Sequence, residues 1–474
     1  MNGVQSNLSL YKETNFNWVH STLLNDRIDA KNYKVEYLEL QRKIISQTYI
    51  RLRDVIEDIK NGFEVNRSYS DVGLKFLTVK DLKEFEINYS DIKKIDLHFR
   101  DTPEKGRLKE GDIIITRSGS IGIAKTITNN DEDIVISSHI IKLRVNNKID
   151  RDYLTTYLNS DTGRKLIEQL SYGAVIKEIG QEELLDLLIP IPSPEIQKYI
   201  GDKVRKAEEL REEAKRLKKD AEEIFYEAIE IDKLNSKLIK VTKFSWIKEN
   251  QIEDRLDLKY NSPSIITIYE HFRKYKCSLL KDEFKTISGY AFSSGDFDDM
   301  DGEKVIKIGD ISDFTIDTTS LTRVKIGTKV KERIREFSCN IQDLVYAMTG
   351  ATIGKVAMYI DNETVYINQR VACIKPKRNN IPTGYLLLYL NSDIGKEISY
   401  SLSTGVAQPN IALEELNNIV IPQLANNIMD KIHHNVLNSL IKHKESKQLI
   451  QEAKQDVEDL IEGNFDMSKV KANS

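Results

Sequence analysis

DIIITRSGSIGIAK, residues 112–125, sets a run of β-branched residues directly before Arg-Ser-Gly-Ser and a second glycine. A strand running into glycines is either a phosphate-cradling loop or a tight hairpin. The two readings part at residues 343–357, DLVYAMTGATIGKVA, 231 positions further on. There the strand and both glycines return while the neighbouring polar residues change, so that Arg117-Ser118-Gly119 answers to Met348-Thr349-Gly350. A phosphate loop needs about four residues between its glycines and a Ser or Thr after its lysine. Gly350 and Gly354 enclose three, Val356 follows Lys355, and the first stretch has Ile123 where the lysine would stand. A hairpin whose glycines supply positive φ suits both stretches.

The recurrence extends along the chain. Phe16-Asn17-Trp18-Val19 returns as Phe244-Ser245-Trp246-Ile247, and Asp26-Arg27-Ile28-Asp29 as Asp254-Arg255-Leu256-Asp257, both 228 residues on. Phe76–Leu82 is matched by Val305–Ile311 at an offset of 229, and Tyr153-Leu154 through Asn159-Ser160-Asp161 by Tyr385-Leu386 through Asn391-Ser392-Asp393 at 232. Gly173 and Gly405, then Ile189-Pro190 and Ile421-Pro422, close each copy. So small a drift means few insertions, and the chain reads as one domain duplicated.

Each copy exits into a long glycine-poor segment that reads as a helix. Ala207, Leu210, Ala214, Leu217, Ala221, Ile224 and Ala228 alternate spacings of three and four, as do Met429, Ile432, Val436, Leu440, Ile450, Ala453, Val457 and Leu460 apart from a break at His443 and Lys447. A narrow seam with Lys, Arg and Glu on its flanks favours pairing of the two helices over packing on their own domains. Short apolar runs at 113–116, 134–137 and 140–145 read as strands, and segments 153–170 and 384–402 as amphipathic helices closed by Gly173 and Gly405. The expected fold is α+β: two duplicated mixed α/β domains, residues 1–190 and 236–423, with two long antiparallel coiled-coil helices, 191–235 and 424–466, arranged about a pseudo-twofold.

Composition bounds the function. With 474 residues, 40% hydrophobic and 30% charged, the chain is long enough for two to three domains and is that of a soluble protein. Cys277, Cys339 and Cys373 stand far apart without a CxxC spacing, which suits a reducing compartment. No signal sequence or apolar run of about 20 residues is present, so a cytoplasmic protein without a membrane partner is expected. There is no HExxH, zinc-spaced Cys/His set, GxSxG, dinucleotide fingerprint or amino-methyltransferase motif, and no catalytic, cofactor-binding or metal site is predicted.

Polar and basic residues do recur at equivalent places. Arg117, Ser118, Ser120 and Lys125 flank the first hairpin, and Thr349, Thr352 and Lys355 the second. Ser137-Ser138-His139 answers to Asn368-Gln369-Arg370, and Gly173 to Ile179, with Lys177, answers to Gly405 to Ile411, with Gln408 and Asn410. Such side chains read base edges and hold phosphates: Arg and Lys suit guanine, Asn and Gln adenine, hydroxyls either. The apolar and glycine positions agree between copies while these polar ones differ. One scaffold carrying two readouts would have that pattern. The net charge of -4 does not by itself point to nucleic acid.

In the order of these features the chain resembles the specificity subunits of type I restriction-modification systems. The resemblance rests on the paired Arg-Ile-Asp and Arg-Leu-Asp starts at Arg27 and Arg255, the Arg-Ser-Gly and Met-Thr-Gly hairpins, Gly405-x-x-Gln408-Pro409-Asn410 and the proline exits at Pro190 and Pro422. It covers nearly the whole chain, and departs from the pattern where the first copy has Ile176-Lys177-Glu178. It implies a non-catalytic subunit with two target-recognition domains, each reading one half of a split sequence in double-stranded DNA. It further implies helices that set the spacing and dock two methyltransferase subunits, and a motor-endonuclease subunit that joins for cleavage. The other readings are the recognition subunit of another defence or modification complex, and a coiled-coil adaptor binding proteins only.

Overall fold

The structure, a computed structural model, describes residues 29–471 except 65–68, 97–105, 132–133, 174, 241–254, 256, 299–300, 319, 326, 328–333 and 406–408. The repeat marks at 16–19, 26–28, 244–247, Asp254 and Leu256 lie outside the described residues, as does Gln408. The chain divides into two units, residues 1–209 with 446–474 and residues 210–445.

Residues 113–116 form a strand in which every side chain is buried. The reason is that it lies between two layers. Ile113 and Ile115 join a core with Tyr153, Tyr157 and Leu166 from the helices, while Ile114 packs on the other side with Leu77, Ile134 and Ile136. The second unit repeats this: Leu344 and Tyr346 face Tyr385 and Tyr389, and Val345 and Ala347 face Ile306 and Ile367. A strand covered on both faces carries a continuous apolar run rather than an alternating one.

That strand is third in a four-stranded antiparallel sheet ordered Ile56–Asn61, Ile140–Val145, Ile113–Thr116, Ala124–Thr126, and its counterpart is third in Phe284–Ser288, Val371–Pro376, Leu344–Ala347, Val356–Met358. The second layer contains a parallel pair in each unit, Leu74–Leu77 with Ile134–Ile136 and Glu303–Ile306 with Val365–Ile367. A two-stranded ladder, Tyr49–Arg51 with Leu188–Pro190 or Lys276–Leu279 with Val420–Gln423, ends each copy.

The expected helices over 153–170 and 384–402 are each two helices: Arg151–Asn159 and Asp161–Leu170, Thr383–Asn391 and Asp393–Leu402. Ser160 and Ser392 make the break, with extended backbones and hydroxyls that accept from the amides of Gly163 at 3.1 Å and Gly395 at 3.2 Å. The second helix turns back so closely that a Cβ on Gly163 would lie 1.9 Å from the Tyr157 carbonyl, and one on Gly395 2.0 Å from that of Tyr389. The tyrosines hold the closing strand: Tyr153 donates to the Pro190 carbonyl at 2.8 Å and Tyr157 to that of Leu188 at 2.5 Å, as Tyr385 and Tyr389 do to Pro422 and Val420. Gly173 and Gly405 do not end these helices; they open the loops that follow.

The long helices span Pro194–Ala228 and Asn426–Glu462. They run antiparallel within each unit: Lys203 pairs with Asp456 at 2.6 Å in the first, and in the second Ser439 donates to the Ala214 carbonyl at 2.7 Å beside a Lys442–Glu213 pair at 2.8 Å. Their halves also belong to the globular cores, Ile196, Ile200, Val204 and Ala207 with Ala453 and Val457 in one, Ala221 and Phe225 with Ile432 and Val436 in the other. Pairing with each other and packing on their own domains are therefore not alternatives here. The seam slips by one residue near its end, burying Phe225 completely where the spacing favours Ile224, because four-residue steps from Ala221 keep the helix against its domain. Buried Ser439 and Ser446 stand on either side of His443, where the apolar spacing breaks.

Candidate nucleic-acid interface

The hairpins have the geometry that the glycines demand. Gly119 and Gly122 have φ of 74° and 80°, Gly350 and Gly354 of 76° and 83°, a region costly for residues with a Cβ. In the first hairpin the Gly122 amide donates to the Thr116 carbonyl at 2.8 Å, and the Thr116 hydroxyl accepts from the Ile123 amide at 2.9 Å. A buried asparagine pins the outgoing arm: Asn159 accepts from the Ala124 amide at 3.0 Å and donates to its carbonyl at 2.8 Å, and Asn391 does the same to Val356 at 3.4 and 2.8 Å.

Three backbone bonds then assemble the surface. Arg117 donates to the His139 carbonyl at 2.9 Å, Ile179 to that of Arg117 at 2.9 Å, and Gly119 to that of Lys177 at 3.0 Å. In the second unit Met348 donates to Arg370 at 3.1 Å, Ile411 to Met348 at 3.0 Å, and Gly350 to Pro409 at 2.9 Å. Three segments far apart in sequence, hairpin tip, strand corner and post-helix loop, thus meet the same way twice. Each post-helix loop is closed by a reciprocal pair, Tyr172 with Glu178 at 2.8 and 2.8 Å, Thr404 with Asn410 at 2.7 and 2.9 Å.

Arg117, Ser118, Ser120, His139 and Lys177 are brought together in the first unit; Thr349, Thr352, Gln369, Arg370 and Asn410 in the second. Ser120, His139, Lys177, Gln369, Arg370 and Asn410 are exposed, and Arg117, Ser118, Thr349, Thr352 and Lys355 half-buried. Some already have partners: Arg117 Nε donates to the Ile179 carbonyl at 3.3 Å, Ser118 to Glu178 at 3.1 Å and Thr352 to the Thr349 carbonyl at 3.4 Å. Lys177 is bound to Glu168, whose carboxyl this hydrogen bond holds below the usual range. An exposed pair of that kind is worth little and can exchange Glu168 for a phosphate.

Lys125 does not belong with them. It is 3% exposed, its ammonium lies 3.0 Å from Asp131 and 3.3 Å from Glu208, and its neighbours close it off from any external ligand. Burial alone would raise the Asp131 carboxyl, but Lys125 and the Thr128 amide outweigh it and hold it below its ordinary value. The strand register places it there: Lys125 lies opposite Ile114, whose side chain packs between the sheets. Lys355 lies before its strand, Val356–Met358, and remains half-buried.

The sequence reading missed one further element. Phe63 bridges Ser137, and Tyr290 bridges Asn368, which brings the loop after the first sheet strand against the corner carrying His139 or Arg370. The signal was a Gly-aromatic pair, Gly62-Phe63 and Gly289-Tyr290. A Cβ on Gly62 would lie 2.1 Å from the Ile136 carbonyl, and one on Gly289 2.3 Å from that of Ile367. In the second unit two aromatics of this loop cluster with a third from the turn Arg335–Phe337, Tyr290 lying 5.1 Å from Phe292 and 5.8 Å from Phe337.

Among the described residues, Cys339, Asp343 and Cys373 place three metal-ligating atoms within 4.8 Å of one another. Lys375 already holds Asp343 at 2.9 Å, the Asn340 amide bonds the same oxygen at 2.8 Å, and burial pushes the Cys339 thiol up. This arrangement serves the packing of two sheets. No helix among the described residues is long and apolar enough to cross a membrane.

Two copies of one domain, each presenting an identically built junction with different side chains, define a duplicated two-domain protein. The family model described as type I restriction modification DNA specificity domain matches residues 47–223 and 273–455, and the chain belongs to that family. A putative type I restriction enzyme MjaX specificity subunit of Methanocaldococcus jannaschii is 26% identical over 155 residues, 32% of this chain and 36% of that protein, so the match spans about a third of the relative's length. Among solved structures, a type I restriction-modification S subunit from M. genitalium aligns over 88% of this chain and 96% of its own at 15% identity and a TM-score of 0.45. The HsdS subunit from Thermoanaerobacter tengcongensis aligns over 88% and 97% at 14% identity and a TM-score of 0.29.

Proposed function

We propose that the chain is the non-catalytic specificity subunit of a type I restriction-modification complex, each unit reading one half of a bipartite target in double-stranded DNA. The observation that carries this is the twice-built junction. Its backbone bonds agree bond for bond, while Arg117, Ser118 and His139 stand where the second unit has Met348, Thr349 and Arg370. A surface retained for packing alone has no need of two different polar sets on one frame. Phosphate contacts from Lys177, Arg370 and Lys355 would position the duplex, and Arg117, Ser118, Ser120, His139, Thr349, Thr352, Gln369, Gln408 and Asn410 would discriminate bases.

The long helices would set the spacing of the two half-sites and dock two methyltransferase subunits, with a motor-endonuclease subunit joining for cleavage. A chain of net charge -4 leaves much of the attraction for phosphate to those subunits, in the cytoplasm where such a complex meets DNA. The test is co-expression with the cognate methyltransferase, followed by mapping methylated bases across a genome. A bipartite motif with a fixed spacer is expected. Methylation without a motif, or no sequence preference on any DNA, would favour an adaptor that binds proteins only.

A further inference from the structure

The post-helix loop of the first unit exposes large apolar side chains on the same surface as its polar ones. Val175 is 95% exposed, Ile176 61% and Tyr172 42%. Single exposed apolar residues are ordinary. Among the described residues, however, no other five-residue stretch exposes three large ones. Turn geometry does not ask for them: Gly173, with φ of 93°, makes the turn, and a Cβ there would lie 2.1 Å from the Ile176 carbonyl. Nor can the loop sink into the core, since the Tyr172–Glu178 pair closes it and the Gly119 amide holds Lys177. Two β-branched side chains are therefore held out in water, next to Ser118, Gly119 and Lys177.

We infer that Val175 and Ile176 are specificity-determining residues that contact thymine methyl groups in the first half-site. The inference rests on the reading of this surface as DNA-facing. In the major groove thymine alone offers an apolar group, its 5-methyl, and small branched or aliphatic side chains are what pack on it. The charged and hydroxyl groups around the loop give it the setting of a duplex contact. Lys177 follows Ile176 directly, and Arg117 and His139 are bonded to the same hairpin. The second unit has Gln408 and Asn410 in the corresponding loop, residues suited to adenine. The two halves would then be read by different chemistry, an apolar contact in one and amides in the other.

The test uses the complex of the full chain with its methyltransferase subunits, bound to duplexes carrying the mapped target. Each thymine of the first half-site is replaced in turn by uracil, which lacks only the methyl group. At least one replacement should weaken binding about fourfold, the worth of one buried methyl-sized group. V175A/I176A should bind the thymine site more weakly by at least that factor and no longer distinguish it from uracil, with unchanged melting temperature and second half-site preference. Wild-type affinity and uracil sensitivity in the variant would overturn the inference. Equal weakening on thymine and uracil sites, which would mark a base-step wedge, would overturn it too. So would a defect confined to subunit assembly, or a first half-site without thymine. A complex that binds no bipartite sequence would instead remove the DNA-reading proposal on which this one stands.

Discussion

Arg117 and Lys125 stand eight residues apart on the two arms of one hairpin, yet their charges have opposite uses. Arg117 is half-buried at the tip with its Nε on a loop carbonyl; Lys125 is buried with Asp131 at 3.0 Å. Replacing Arg117 with alanine should relax the first half-site by about 1–3 kcal/mol, the worth of a good base contact, and leave melting temperature and the second half-site alone. K125M should do the reverse. Removing one partner of a buried pair costs about 3–5 kcal/mol, so thermal unfolding should move sharply while the methylated sequence stays the same. The pH dependence has a definite sign. Because the Asp131 carboxyl is depressed in the fold, the pair stabilises above the ordinary carboxylate value near 4 and fades as pH falls through the folded value. The gap in stability between wild type and K125M should accordingly be widest at neutral pH and narrow below about pH 4; a gap independent of pH would sink the assignment.

At the scale of elements, the hairpin depends on a residue outside it. Asn159 makes three hydrogen bonds, two to Ala124 and one to the Thr155 carbonyl at 3.0 Å, all buried. N159A would leave the buried Ala124 amide unsatisfied, at about 1–3 kcal/mol, while the Ala124 carbonyl keeps the Phe85 amide at 3.1 Å. The expected outcome is a lower melting temperature together with loss of first half-site discrimination only; N391A should mirror it on the second half-site. Loss of both half-sites from either single change would refute independent hairpins. The hairpin was legible in the sequence because its glycines and its apolar strand recur, and duplication distinguishes a required residue from an incidental one. The helix break at Ser160 was not, since Tyr153 to Leu170 keeps its amphipathic period through a residue whose extended backbone only the close packing of Gly163 demands. The burial of Lys125 was hidden for a related reason. Spacing identifies a strand, but which face a lysine takes depends on the layer behind it, and Asp131 is a partner that strand pattern does not reveal.

At the scale of the whole molecule, the spacing of the half-sites would follow from helix length. Helices of 35 and 37 residues rise about 1.5 Å per residue, or roughly 52–56 Å, which is about one and a half turns of duplex at ~34 Å per turn. Ala214 and Ser439 touch across the antiparallel pair at 2.7 Å, so an insertion can be made at matching points of both. Four residues inserted after each would lengthen the pair by about 6 Å, and since they make little more than one helical turn, the apolar seam resumes close to its former face. Six ångströms is near two base-pair steps. The methylated motif should therefore keep both half-sequences and gain a spacer about two base pairs longer. A one-helix insertion serves as the control: it leaves the seam out of step with its partner and should lower melting temperature without yielding a new motif. An unchanged spacer in the doubly extended protein, with methylation intact, would mean that the helices do not set the distance and that the partner subunits do.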